Sequence, residues 1–241
     1  MGLDPWTWAV IALAVFAGAT AQGLVGLGIG LVAAPVTTLL EPSLMPALLL
    51  WLAFVMPLVT LAKERDAIDW PGLWWSLPTR VVGTAVGVAL VATFTTSQLG
   101  VAVAVMVLAV VVLTIRTIVL PINPASLMVT GLISGVTGTA TSIGGPPMAL
   151  LYQHREPRQL RCTLAVYFLV GAALSLAGLA IGDALHGREL AVAASMTPML
   201  GLGFVAARLQ HRRVDPDHLR AGVMVVCATG SLVLLIRSIT G

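Results

Sequence analysis

Apolar runs of about 20 residues, the length needed to cross a bilayer, recur along this chain, and its charged residues are confined to the gaps between them. The clearest runs are 43–62, 71–92, 98–116, 162–182, 190–207 and 217–237, which predict six membrane-spanning helices. Composition points the same way: of 241 residues 58% are hydrophobic and 10% charged, with a mean hydropathy of +1.00. A soluble globule carries about 25% charged residues, so the outside of this molecule must face lipid, and the length leaves no room for a separate soluble domain. The predicted fold class is an all-α, multi-pass integral membrane protein.

Two further apolar stretches, 6–40 and 124–152, are broken in the middle by Gly23, Gly26, Gly28, Gly30 and Pro35 in one, and by Gly135, Gly138, Gly144, Gly145, Pro146 and Pro147 in the other. Neither can be one straight helix. Each is followed by three spans, so the chain divides into residues 1–120 and 121–241, two membrane repeats within one membrane domain. Gly23, Gly26 and Pro35 map onto Gly135, Gly138 and Pro147 at a constant offset of 112; Pro78 and Gly83 map onto Pro198 and Gly203 at 120. The change of offset predicts a longer loop in the second half, around Gln153–Leu160. Such internal similarity is typical of duplicated transporters.

Topology turns on whether each broken stretch returns to the face it entered. If it does, and the N-terminus lies outside, Lys63, Arg65, Arg116, Arg155, Arg158, Arg161, Arg208, Arg212, Arg213 and Arg220 are cytoplasmic, leaving Arg188 and Arg237 outside, ten against two. If each stretch crosses once, the best division is seven against five. The positive-inside rule favours the returning form. Each half then crosses an odd number of times, which makes the second half an inverted repeat of the first, with the two breaks entering from opposite faces toward the bilayer midplane.

Several function classes are excluded. The net charge of +3 comes from basic residues in short loops, with no basic face for nucleic acid. Cys162 and Cys227 sit in apolar runs and read as packing residues. Ala19-Thr20-Ala21 mimics a signal-peptidase site, but the leading segment holds Asp4 and no Lys or Arg, so it reads as a retained membrane segment. His154, His186, His211 and His218 all lie outside the spans without metal-ligand spacing, and Ser142 has no embedded His or Asp to activate it. The chain therefore reads as a non-enzyme that needs no metal or cofactor.

Irregular backbone inside a bilayer persists only where protein buries it or a polar cavity surrounds it, which makes the breaks the leading site candidates. The second, with Thr137, Gly138, Thr141, Ser142, Gly144, Gly145 and Pro146, combines hydroxyls, permissive backbone and a proline-rich helix start whose free N–H groups favour an anion. The first offers Gln22, Gly26, Gly28 and Gly30. Arg80, placed just after Pro78, which is expected to open the helix, is the basic residue deepest in a span. Every Asp and Glu lies in a loop or at a span end, so an anionic substrate would supply its missing countercharge. Against these stand the readings that the glycines serve close helix packing and that Arg80 snorkels to an interface or bonds carbonyls. Gly83-x-x-x-Gly87 and Gly178-x-x-x-Gly182 permit a homodimer as well as internal packing.

The segments Gln22-Gly23-Leu24-Val25-Gly26-Leu27-Gly28 with Pro35, Gly131-Leu132-Ile133-Ser134-Gly135-Val136-Thr137-Gly138 with Gly144-Gly145-Pro146-Pro147, and Pro198-Met199-Leu200-Gly201-Leu202-Gly203 through Arg208 together resemble the TauE/SafE family. This is the sulfite exporter or 4-toluenesulfonate uptake permease group, and the likeness spans nearly the whole chain. The resemblance implies a plasma-membrane permease for small anions, commonly sulfite, sulfonates or other organosulfur compounds, sometimes carboxylates. With the repeat, it predicts a secondary transporter working by alternating access at a midplane site between the breaks, one half rocking against the other. The alternatives are an anion channel and a non-transporting membrane scaffold.

Overall fold

A computed structural model describes residues 3–25, 28–115, 120–210 and 216–240. Ten α-helices occur among them, with no strand: α1 (Pro5–Val25), α2 (Ile29–Leu40), α3 (Ala47–Lys63), α4 (Trp70–Thr93), α5 (Thr96–Ile115), α6 (Pro124–Thr141), α7 (Gly145–Tyr152), α8 (Pro157–Ile181), α9 (Gly187–Gln210) and α10 (Pro216–Thr240). Both broken stretches are helix pairs, α1–α2 and α6–α7, each followed by three helices, so the order of elements repeats across residue 120.

Among the described residues six helices are long and apolar enough to cross a membrane: Pro5–Leu24 of α1, α4, Thr96–Leu113 of α5, α8, α9 and Ala221–Thr240 of α10. The protein is a multi-pass membrane protein. The set differs from the sequence expectation at one place. The run 43–62 yields the 17-residue α3, because Pro42 starts a separate 3-10 turn and α3 begins only at Ala47, after Pro46. In its stead α1, taken at first as half of a broken stretch, is long enough to span.

Two other expectations are corrected. Pro78 does not open α4, which continues unbroken to Thr93. The residues added in the second half do not lengthen a loop: α7 ends at Tyr152 and α8 begins at Pro157, and α8 has 25 residues to the 17 of α3. That excess of eight matches the change of offset from 112 to 120.

The helices group into two compact units, each drawing on both halves of the sequence. Unit 1 comprises Met1–Leu52, Thr95–Ile115 and Gly187–Gly241; unit 2 comprises Ala53–Phe94 and Arg116–His186. In unit 1 α1 packs on α9, and in unit 2 α6 packs on α4, which are the same pair in repeat terms. Glycine makes both contacts close. A methyl group on Gly203 would lie 2.6 Å from the Ala19 side chain and 2.7 Å from the Phe16 carbonyl, and one on Gly135 would lie 2.5 Å from the Arg80 carbonyl. Gly83 abuts the Leu132 carbonyl. Packing therefore accounts for these glycines.

In unit 2 helix starts are fixed by capping. The Asp69 carboxylate accepts from the Gly72 N–H at 3.1 Å to begin α4, and Asn123 with Ser126 forms a capping box at α6. Leu73, Leu127, Met148, Leu151 and Val166 form an apolar cluster with Tyr152 and Tyr167. The outward residues of α4, α6, α9 and α10 are largely Val, Leu and Ile, including Val82, Val129, Val205 and Val226. Buried positions of α4, α6 and α8 hold Ser76, Arg80, Thr84, Ser134, Thr139, Thr163 and Ser175. A polar interior inside an apolar surface is the reverse of a soluble core and suits lipid.

Candidate functional site

Three helices of unit 2 carry polar or small residues at helical spacing along one face. On α4 these are Gly72, Ser76, Arg80 and Thr84; on α8, Thr163, Tyr167, Gly171 and Ser175; on α6, Gly131, Gly135 and Thr139 with Ser134 and Gly138 beside them. Residues four apart share a helix face, and small residues let three backbones converge. Arg80 lies at that convergence.

Its side chain is 3% exposed. Nη1 donates to Ser134 Oγ at 3.0 Å, and Cζ lies 4.3 Å from the Tyr167 ring centroid, a cation–π contact. Gly171 gives the guanidinium its place, because a methyl group there would overlap Cζ, Nε and Nη2 together. A methyl on Gly138 would sit 3.4 Å from Nη2. Among the described residues no Asp or Glu pairs with Arg80. Among the same residues Nε has no hydrogen-bond partner, and neither do the buried hydroxyls of Tyr167 and Thr84. Burying an unpaired guanidinium costs several kcal/mol, which a single hydroxyl acceptor and one ring contact do not offset. Among the described residues no carbonyl accepts from Arg80, whose guanidinium is enclosed by protein.

The second break adjoins this group. α6 ends at Thr141, Ser142 adopts a left-handed conformation with φ 61°, and Gly144 caps α7. Ser134 Oγ, one side of which holds Arg80, donates to the Gly144 carbonyl in a short bond, so the guanidinium, α6 and the start of α7 are joined through one hydroxyl. Gly144 is packed so closely on α6 that a methyl would lie 2.7 Å from the Ser134 carbonyl, and one on Gly145 would lie 2.9 Å from the Phe168 ring. Pro146 is buried in the first turn of α7.

The structure thus brings Arg80, Gly138, Gly144, Gly145 and Pro146 of the expected set into one region. The hydroxyls of Thr137 and Thr141 bond the Ile133 and Thr137 carbonyls of their own helix. In unit 1, the Gln22 amide oxygen accepts from the Ile29 N–H at 3.0 Å and bridges α1 to the start of α2. Gly28 caps α2, and a methyl there would lie 2.5 Å from the Gly18 carbonyl; Gly30 falls in the first turn of α2. Gly26 lies outside the described residues, as do Arg116, Arg212, Arg213 and His211.

Ser134, Tyr167 and Gly171 were not singled out from the sequence as site residues, although the four-residue spacing from Thr163 to Ser175 on an otherwise apolar helix was a usable signal. At the offset of 120 Arg80 corresponds to Leu200, an apolar residue that is also buried.

A multi-pass helical protein with paired broken helices and a polar, cationic interior has the architecture of a membrane transporter. The chain belongs to the TauE/SafE family: the family model described as Sulfite exporter TauE/SafE matches residues 10–234. The family is one of membrane transporters of the sulfite and sulfonate exporter type. No curated protein and no solved structure matches the chain.

Proposed function

We propose that the protein is a secondary transporter of a small anion, sulfite or another organosulfur anion, in the plasma membrane, and that it works by alternating access with Arg80 supplying the countercharge. The observation that carries this is the membrane-buried guanidinium with no carboxylate partner among the described residues. An anion arriving at Arg80 turns an uncompensated charge into a pair. The adjoining break at Gly144 sets irregular backbone beside the guanidinium, as at the sites of transporters built on broken helices.

The reading includes two inverted repeats, 1–120 and 121–241. In unit 2, Arg158 and Arg161 pair with Asp66 at 3.1 Å and Glu64 at 2.9 Å. In unit 1, Arg188 pairs with Glu41 at 3.5 Å, and Ser97 bonds the Ser238 carbonyl. Each pair joins segments on either side of the second broken stretch that its single crossing would put on opposite faces, so these contacts support the returning form of that stretch, and the first is read as its counterpart in the repeat.

The test is uptake of radiolabelled sulfite into liposomes holding the purified protein. Saturable flux, abolished in Arg80→Gln with the protein still folded, is expected. Flux without saturation would mean a channel, and none with sulfite, sulfonates or carboxylates would leave a scaffold.

A further inference from the structure

The guanidinium of Arg80 is not equally engaged on all sides. Nη1 is committed to Ser134, one face lies against the Gly171 backbone, and the Tyr167 ring sits 4.3 Å from Cζ. The opposite edge, formed by Nε and Nη2, makes no hydrogen bond among the described residues, and Nε is fully buried without a partner. That edge carries two parallel N–H groups, the fork that matches two oxygens of one planar or pyramidal oxyanion. A spherical halide can meet the charge but not both donors in line.

We propose that this Nε–Nη2 edge is the specificity determinant of the site, that it engages two oxygens of a sulfite, sulfonate or carboxylate group at once, and that Gly171 and Tyr167 are the positioning residues that keep it turned to the ligand. The proposal rests on the anion-transport reading and adds to it the edge by which the site tells such oxyanions from halides. Three features agree. The Ser134 bond fixes the guanidinium by its far nitrogen and leaves the fork unused. Gly138 brings backbone alone beside Nη2, with no side chain of its own to compete for that donor. The Tyr167 hydroxyl is a further buried group without a partner, on the ring that holds the guanidinium.

The positioning is geometric rather than a matter of charge. Any side chain at residue 171 takes the volume that Cζ, Nε and Nη2 occupy, so the guanidinium must rotate and the fork must turn with it. A lysine at residue 80 would keep the positive charge but present a point donor instead of a fork. Charge and fork are therefore separable by substitution.

The experiment is a set of binding titrations of the full-length protein in nanodiscs with sulfite, methanesulfonate and chloride, at constant pH and ionic strength, on wild type, Arg80→Lys and Gly171→Ala. Wild type is expected to bind both oxyanions at least about tenfold more tightly than chloride, as two charge-assisted hydrogen bonds against an undirected contact imply. In Arg80→Lys that ratio is expected to fall to about one while chloride binding is retained. Gly171→Ala is expected to lower the ratio in the same direction, and it decides the matter should the lysine variant fail to fold. A wild-type ratio near one overturns the fork, as does a ratio that survives intact in the folded variants. In either of those cases the anion-transport reading stands, because anions still bind; absence of all anion binding in wild type removes both.

Discussion

At the scale of single residues, the interior of unit 2 is organised around one cation and one missing side chain. Arg80 was legible in the sequence because a basic residue well inside an apolar run has few explanations. Gly171 was not, since a glycine in a membrane helix is commonplace and only the fold shows what its missing methyl makes room for. Gly171→Ala should leave a folded transporter destabilised by about 1–3 kcal/mol through overpacking. Its KM for sulfite should rise more than its maximal rate falls, because the guanidinium is displaced before chemistry-free translocation begins. Gly187→Ala, where a methyl group meets nothing within 4 Å, should match wild type in both. Uptake kinetics in liposomes check the pair, and equal behaviour of the two variants would deny Gly171 its role.

At the scale of elements, both broken helices are fastened across the break by a side chain from the first helix of the pair. In α1 the Gln22 amide accepts from Ile29, and in α6 the Ser134 hydroxyl donates to Gly144. At the offset of 112 residue 22 corresponds to residue 134, so the two side chains occupy the same place in the repeat, although one accepts and the other donates and their partners, residues 29 and 144, are not equivalent. Ser134 is fully buried and also holds Arg80, whereas Gln22 is half-buried. Ser134→Ala should therefore cost about 1–3 kcal/mol, the penalty for stranding buried polar groups, and more than Gln22→Leu. Denaturation of the purified variants in detergent measures both, and the reverse order would count against the bridge. The breaks themselves were readable from Gly and Pro. The fastening was not, because it depends on which face of a helix meets the next segment. The extra turns of α8 escaped notice too, since an insertion shows its length in sequence but not whether it becomes helix.

At the scale of the whole molecule, the element order and the membrane class follow from hydropathy, and the division into compact units does not. Helices from both halves interleave in each unit, and linear sequence carries no mark of which distant helices will pair. Topology gains an argument that charge counting lacks. The ion pairs Arg158–Asp66 and Arg161–Glu64 are largely solvent-exposed and stabilise little, yet they locate two loops at one end of unit 2. The Arg188–Glu41 pair does the same for loops of unit 1. In a background with the buried Cys162 and Cys227 replaced, Arg65→Cys and Arg158→Cys should both react with a membrane-impermeant maleimide only after the cytoplasmic face is exposed. Ser43→Cys and His186→Cys should both react in intact cells. Labelling of residues 65 and 158 from opposite faces would mean that the second broken stretch crosses once, and, with the first doing the same, the second half would run parallel to the first. Labelling from one face means that the second broken stretch returns; with the first, its counterpart in the repeat, doing the same, each half crosses an odd number of times and the second is inverted relative to the first.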